Sequence, residues 1–503
     1  MDDSLPAARA LAIAGEHVVG GVGAHERALP TPERVDLGGR CVLPGFSDAH
    51  VHFPTWALAQ RQVRLEGCAS LAEAVARVRE AARDAPASRW LVGYGWRSGD
   101  WRHEVEPTRD DLDPVTSDVP VALWAKDDHS LWLNSAGLER AGGELAVPGG
   151  VVELDDWGAP TGVLREQAAW RFRARHISVS EDEYVDAVRA GIRIAHARGV
   201  TAVHDKDGWL GALGIWQRVQ AEGGLTLRVW QSLPHERVGE LAEVGLRSGL
   251  GDDWLRLGYL KAFMDGSLGS GTAWMLDGSG VVITSGDELA GIVRRAAGAG
   301  WPVAVHAIGD RANREALDAF EATRDAWSIL PVPPRIEHAQ LVDPHDLGRF
   351  AALGVACSVQ FSHAPSDRDL ADERWAGETG NAYPFGALWR SGALIANGSD
   401  APIEELDPLL GIRAGVLRTL DDRPPWHPEQ ALGVRQALLA STVSPARLAG
   451  DGRRRGKLLP GYLADLVVLD RDPLACPADE LAEVRVVATM VGGRWVYGAP
   501  PWD

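Results

Sequence analysis

The stretch Val42-Leu-Pro-Gly-Phe-Ser-Asp-Ala-His50-Val-His52 decides the reading of this chain. Val42, Leu43 and Phe46 give it the apolar character of a buried strand, and two histidines stand at its end. Side chains at i and i+2 of a strand project from the same face, so both imidazoles can reach one metal ion. A His-x-His pair alone is moderate evidence. It gains weight from Lys261, His306, His338 and Asp400, each at the end of an apolar run further along.

Those runs form a series. Strand-like segments at 42–48, 199–204, 225–232, 256–263, 302–307, 335–339, 354–360 and 393–398 alternate with helix-like segments such as 182–198, 287–299, 311–327 and 429–441. The alternation predicts an α/β fold, a (β/α)8 TIM barrel spanning 46–454. Active sites of such barrels lie at the C-terminal ends of the strands, which is where the candidate residues fall. The first gap is too long for one crossover. A helix pattern at 54–84 is followed by further strands, which predicts an inserted α+β subdomain at 85–180.

That insert holds Trp90, Trp96, Trp101, Trp124, Trp132, Trp157 and Trp170. They read either as its own core or as a wall and lid beside the barrel mouth. The chain ends alternate apolar and turn residues at 8–42 and 456–497. They predict a small β-sandwich shared by 1–45 and 455–503.

The net charge of −19 argues against nucleic acid or an anionic membrane as partner. No apolar stretch approaches the ~20 residues of a membrane span. The Met-Asp-Asp start lacks the basic segment of a secretory signal. Cys41, Cys68, Cys357 and Cys476 form no Cys-x-x-Cys, which argues against a disulfide framework or a structural zinc cluster. The cytoplasm is the default compartment, and the oligomeric state stays open, with a homodimer as one option. Only Lys126, Lys206, Lys261 and Lys457 among the 51 basic residues are lysines. A lysine amine can be neutralised and do chemistry, which arginine cannot.

At this point the chain resembles a family. The order His-x-His, Lys, His, His, Asp is similar to the amidohydrolase superfamily in its two-metal form. Lys261-Ala-Phe-Met-Asp-Gly-Ser-Leu-Gly-Ser, Val305-His-Ala-Ile-Gly-Asp-Arg-Ala, Glu337-His-Ala-Gln and Gly398-Ser-Asp-Ala-Pro resemble its amidohydrolase 3, YtcJ-like branch, which includes N-substituted formamide deformylase. The insert resembles it too, at Pro107-Thr-Arg-Asp-Asp-Leu-Asp, His129-Ser-Leu-Trp-Leu-Asn-Ser and Pro160-Thr-Gly-Val-Leu-Arg-Glu. One departure is Gly271, where the branch usually carries arginine.

The resemblance implies two divalent metal ions, zinc first, with iron, manganese or nickel as alternatives. His50, His52 and Asp400 would hold the more buried one, and His306 and His338 the second. Lys261, carboxylated by carbon dioxide to a carbamate, would bridge them. A metal-activated hydroxide would hydrolyse a non-peptide C–N bond, an amide in a small molecule, with Asp400 moving the proton. Glu337 and Asp310 would orient ligands. His129, His204, Trp96 and Asp310 are candidate substrate contacts, with Asp205 beside them; the remaining histidines read as surface residues. An apolar N-substituent on the substrate fits the tryptophan-rich insert.

Three alternatives stand beside this reading. A mononuclear deaminase carries His-x-x-Glu after the fifth strand, but Ala307, Ile308 and Gly309 follow His306 here. A metal-free scaffold would have lost ligands. A metal-dependent lyase or isomerase could use the same site.

Overall fold

The computed structural model describes residues 8–21, 33–83, 85–86, 89–103, 105–126, 128–140, 142, 145–177 and 179–500. They fall into two compact units, Met1–Phe53 with Arg189–Asp503, and Pro54–Val188.

The first unit is built on eight parallel strands: β1 (Phe46–Val51), β2 (Val200–Asp205), β3 (Arg228–Pro234), β4 (Leu255–Phe263), β5 (Val303–Ala307), β6 (Arg335–His338), β7 (Ala356–Val359) and β8 (Ile395–Asn397). Each strand pairs with the next in chain order. The far end of β8 returns to β1. The Asp400 N–H donates to the His50 carbonyl at 2.7 Å, and the Ser399 N–H donates to the Asp48 carboxylate at 3.1 Å. Gly398 permits this closure, because a Cβ there would lie 2.4 Å from the His50 nitrogen. The fold is therefore an α/β barrel.

Helices cover the outside of the sheet, so its strands are buried on both faces. Gly286–Gly298 shows why such a segment is helical. Ser285 and Glu288 form a capping box, and Leu289, Ile292, Val293, Ala296 and Ala297 make one buried stripe. The helix expected over 311–327 breaks at Thr323, between Asp310–Ala322 and Arg324–Trp327. The Thr323 hydroxyl donates back to the Ala319 carbonyl at 2.7 Å, a bond that competes with the helical ladder. The helix expected over 429–441 is shorter, Val434–Ala440.

The run 42–48 is also not one strand. Cys41–Pro44 pairs antiparallel with Leu466–Leu469 in the sheet of the chain ends, and only Phe46–Val51 enters the barrel. That end sheet runs Arg494–Tyr497, Val486–Val491, Leu466–Leu469, Cys41–Pro44 in space. A hairpin, Leu11–Ala14 with His17–Gly21, bridges to it through His17 and Leu463. A buried ion pair ties sheet to barrel: Arg228 of β3 donates twice to Asp465, at 2.7 and 2.9 Å.

The second unit carries a six-stranded mixed sheet. Val63–Arg64, Leu91–Trp96 and Val121–Ala125 pair parallel, and Ser130–Leu133, Pro160–Glu166 and Gly150–Leu154 continue antiparallel. Trp96, Trp101, Trp124 and Trp132 are buried in its own apolar clusters, while Trp157 is 89% exposed.

Removing one member of a buried ion pair strands the other charge, at about 3–5 kcal/mol. Arg228→Met is expected to lower the unfolding free energy by about that amount, with the double variant Arg228→Met/Asp465→Leu recovering part of it. Urea unfolding curves measure both. A single variant within about 1 kcal/mol of the parent would remove Arg228 from this role.

Candidate active site

Six side chains named by the sequence come together at the C-terminal end of the barrel: His50, His52, Lys261, His306, His338 and Asp400. His50 and His52 aim at one oxygen. Their Nε2 atoms lie 3.3 and 3.6 Å from Asp400 Oδ1. Each ring is fixed from behind by a carboxylate. His50 Nδ1 donates to Glu337 Oε2 at 2.8 Å, and His52 Nδ1 donates to Asp207 Oδ1 at 2.8 Å. A carboxylate only accepts, so the hydrogen of each ring sits on Nδ1 and the lone pair on Nε2. In the neutral rings two lone pairs and an anionic oxygen thus converge, an arrangement that favours a cation at the centre, whether a metal ion or a proton on His52. The His52 imidazole reports the same demand. Burial opposes its protonation, yet Asp207 and Asp400 raise it to about 9. Burial raises the Asp400 carboxyl above its ordinary value, against the pull of His52, His363 and Lys261.

Glu337 anchors the interior behind this group. It is fully buried. Its Oε1 lies 2.8 Å from both Lys206 Nζ and Arg335 Nε. Burial works against its ionisation, but Arg335, Lys206 and His50 hold it well below the ordinary carboxylate range. Arg335 also donates to His204 Nδ1 at 3.2 Å.

The other two histidines are held differently. His306 donates from Nε2 to the Gly266 carbonyl at 2.9 Å. His338 donates from Nδ1 to Gln360 Oε1 at 2.9 Å; the Gln360 amide is oriented by its own bond to the Ser358 carbonyl. The two rings are 4.5 Å apart between centroids, and His338 lies 4.8 Å from His50. Lys261 Nζ sits 4.9 Å from the Phe263 ring centre, and burial lowers its ammonium to about 8. Two groups have donor atoms within 4.8 Å of one another and so can hold a metal: His50, His52 and Asp400, and His338, His363 and Asp400.

Residues 33–497 match the profile of the amidohydrolase family. The chain belongs to that family. It is 31% identical to the putative amidohydrolase YtcJ of Bacillus subtilis, over 95% of this chain and 94% of that protein. It is 29% identical to N-substituted formamide deformylase of Arthrobacter pascens, over 93% and 91%. Among solved structures, an uncharacterised metal-dependent hydrolase from Pyrococcus horikoshii superposes with a TM-score of 0.77 at 29% identity, covering 93% of this chain and 95% of that one.

Other candidates of this amidohydrolase chain have structural partners of their own. His204 is buried against Arg335 and Trp230. Asp205 accepts the Trp216 indole N–H at 2.6 Å. Asp310 accepts the Leu276 and Arg311 N–H groups at 2.8 Å, at the start of a helix. In the second unit, His129 Nδ1 lies 2.8 Å from Glu166 and its ring packs edge-on to Trp170. Trp96 is packed against Trp101 and Trp132, with its indole N–H on the Leu123 carbonyl. At Gly271, the Arg374 guanidinium lies where a Cβ would approach to 2.7 Å, and it donates to the Leu268 carbonyl.

One expectation is corrected outright. The remaining histidines are not all on the surface: His196 and His363 are buried. His196 bonds through both ring nitrogens, to the Val200 carbonyl and the Thr226 hydroxyl. His363 faces Asp400. It follows the apolar run Val355–Phe361, so the end-of-strand criterion that singles out His306 and His338 applies to it equally. Asp207, Gln340 and Gln360 carry no such signal, because their roles arise only from the ring each supports.

Glu337→Gln is expected to cost about 3–5 kcal/mol of stability, since it strands Lys206 and Arg335. Lys206→Met is expected to cost less, since Arg335 and His50 still face the carboxylate. Thermal and urea unfolding rank the two; the reverse order would mean that Glu337 is not the hub of the network.

Proposed function

We propose that the chain is a metal-dependent hydrolase that cleaves a non-peptide C–N bond, an amide, in a small molecule. The observation that carries the reading is the convergence of His50, His52 and Asp400, with both imidazole lone pairs turned to one carboxylate oxygen. His50, His52 and Asp400 would hold one divalent ion and His306 and His338 another, with zinc favoured by the imidazole and carboxylate donors. Such metals would supply Lewis acidity for polarising a scissile carbonyl and for making water nucleophilic near neutral pH.

Lys261 would bridge the pair as a carbamate. The ammonium would first give up one proton; the freed amine lone pair would then add to carbon dioxide and a second proton would leave, so the cationic side chain becomes an anion. Burial supports that step by leaving a substantial share of the amine neutral near pH 8. Asp400 would take a proton from the attacking water and deliver it to the nitrogen of the breaking bond, so that the amine departs neutral. Glu337 and Asp207 would keep the two imidazoles in the ligating tautomer.

An aromatic wall beside the site supports an apolar substituent on the substrate. Trp209 packs on Phe263 at 5.4 Å, and Phe263 on His306 at 5.3 Å. The name of the Arthrobacter relative makes N-substituted formamides the first compounds to screen. The four cysteines are unbridged, which supports a reducing compartment such as the cytoplasm. No helix among the described residues is long and apolar enough to cross a membrane.

Elemental mass spectrometry on chelator-free protein is expected to find about two transition-metal ions per chain. About one would favour the mononuclear deaminase, and none after incubation with zinc and bicarbonate would end the hydrolytic reading. Lys261→Ala is expected to lose most amide turnover and bound metal, with partial rescue by short carboxylic acids; full activity would remove its bridging role. Asp400→Asn is expected to lose turnover far more than thermal stability, and a collapse of the melting temperature instead would make Asp400 a structural residue.

A further inference from the structure

His363 lies just after β7 and is 4% exposed. Its two nitrogens are treated differently by the fold. The side-chain amide nitrogen of Gln340 lies 3.2 Å from Nδ1. That amide donates, so Nδ1 is the acceptor and the ring hydrogen is on Nε2. Nε2 is buried and has no hydrogen-bond partner. It points toward Asp400, but 3.9 Å from Oδ2 is too far for a hydrogen bond. The ring runs nearly parallel to His338, 6.5 Å away at 13°. A buried donor without an acceptor costs about 1–3 kcal/mol, so its presence here calls for an explanation. His363 is also outside the ligand set that the sequence supplies.

From this we infer that His363 is a catalytic residue whose Nε2–H donates a hydrogen bond to the substrate carbonyl oxygen as that oxygen gains negative charge. The proposal rests on the hydrolytic reading above. Nε2 faces Asp400, the group that on the hydrolytic reading moves the proton at the reacting carbonyl. A fixed donor there is worth more to the tetrahedral intermediate than to the planar amide, because charge develops only in the former. Gln340 becomes a positioning residue: its amide holds the tautomer that leaves the hydrogen on Nε2. The donor role also separates His363 from His50, His52 and His338, whose Nδ1 hydrogens turn Nε2 into an acceptor. The same ring type thus serves two purposes, decided by whether its far nitrogen meets an acceptor or a donor.

The test uses the metal-loaded full chain with 4-nitroformanilide, which releases a coloured amine. His363→Ala is expected to lower kcat about 100–1,000-fold, as removal of an oxyanion donor does elsewhere. KM should stay within about threefold and metal content unchanged. His363→Gln restores an N–H at similar reach and should recover part of kcat; it also serves if the alanine variant fails to fold. Gln340→Glu, which accepts from Nδ1 and moves the lone pair to Nε2, should lose kcat with metal retained. A loss of metal from His363→Gln would make His363 a ligand and overturn the donor role. A kcat within about fivefold in both His363 variants would make it a packing residue and overturn it equally. If the parent protein hydrolyses neither 4-nitroformanilide nor any N-substituted formamide, the hydrolytic reading falls and takes the proposal with it. An active parent with unaffected His363 variants sinks the proposal alone.

Discussion

Glu337 carries a charge in the middle of the barrel, out of reach of water. Taking a carboxylate from water costs several kcal/mol unless close partners replace the lost solvation. Here Lys206 and Arg335 meet one oxygen and the His50 N–H meets the other. Most of the site depends on this arrangement. The carboxylate fixes which His50 nitrogen carries hydrogen, and so turns Nε2 toward Asp400. It draws Arg335 inward, where the guanidinium stacks on Tyr259 and donates to His204. It also gives Lys206 and Arg335 a shared anion inside the barrel. A buried ion network is weak evidence for stability, but it is strong evidence for fixed orientation, which a catalytic site needs.

The backbone at the mouth shows the same preference for orientation over comfort. His338, Ala339 and Asp400 all lie in the left-handed region, with φ of 76°, 45° and 60°. Such residues cost about 1–3 kcal/mol each and persist only where their surroundings over-determine them. The surroundings here are the barrel's own ladder. The Ala339 N–H donates to the Ala307 carbonyl, and the Asp400 N–H donates to the His50 carbonyl. At β8 the bond that holds Asp400 in its strained conformation also closes the barrel. Closure and site geometry therefore rise or fall together.

The legible part of this chain was what depends on one residue and its place in the strand pattern. His50, His52, His306, His338, Lys261 and Asp400 each end an apolar run, and a barrel brings all such ends to one face. What was hidden depends on pairs. Asp207 matters because His52 needs an acceptor, and Gln360 because His338 does. Neither pairing has a signature, since 155 residues separate His52 from Asp207. The start of β1 is hidden for a related reason. Val42, Leu43 and Phe46 give the run 42–48 its apolar character, and nothing in that pattern says that Cys41–Pro44 pairs with a segment more than 400 residues away. His363 satisfies the strand-end rule as well, but the ligand set that the resemblance implies is complete without it.

The scarcity of lysine gains its meaning from the interior. Of four lysines, Lys206 and Lys261 are both buried in the barrel. Burial lowers both, to about 7 and about 8. Their surroundings differ in one respect. Lys206 has Glu337 in direct contact, so its ammonium has a fixed anion to neutralise. Lys261 feels Glu337 and Asp400 through their charge, and its Nζ lies 4.9 Å from the Phe263 ring centre. A cation placed among imidazoles that seek a metal would repel that metal. It suits the site only if it can lose its charge. Arginine could replace Lys206 as a counter-ion to Glu337, although its planar fork would need room. Arginine could not replace Lys261, because a guanidinium neither deprotonates nor forms a carbamate under these conditions. On the proposed function, Lys261 is the lysine whose charge would have to be removable.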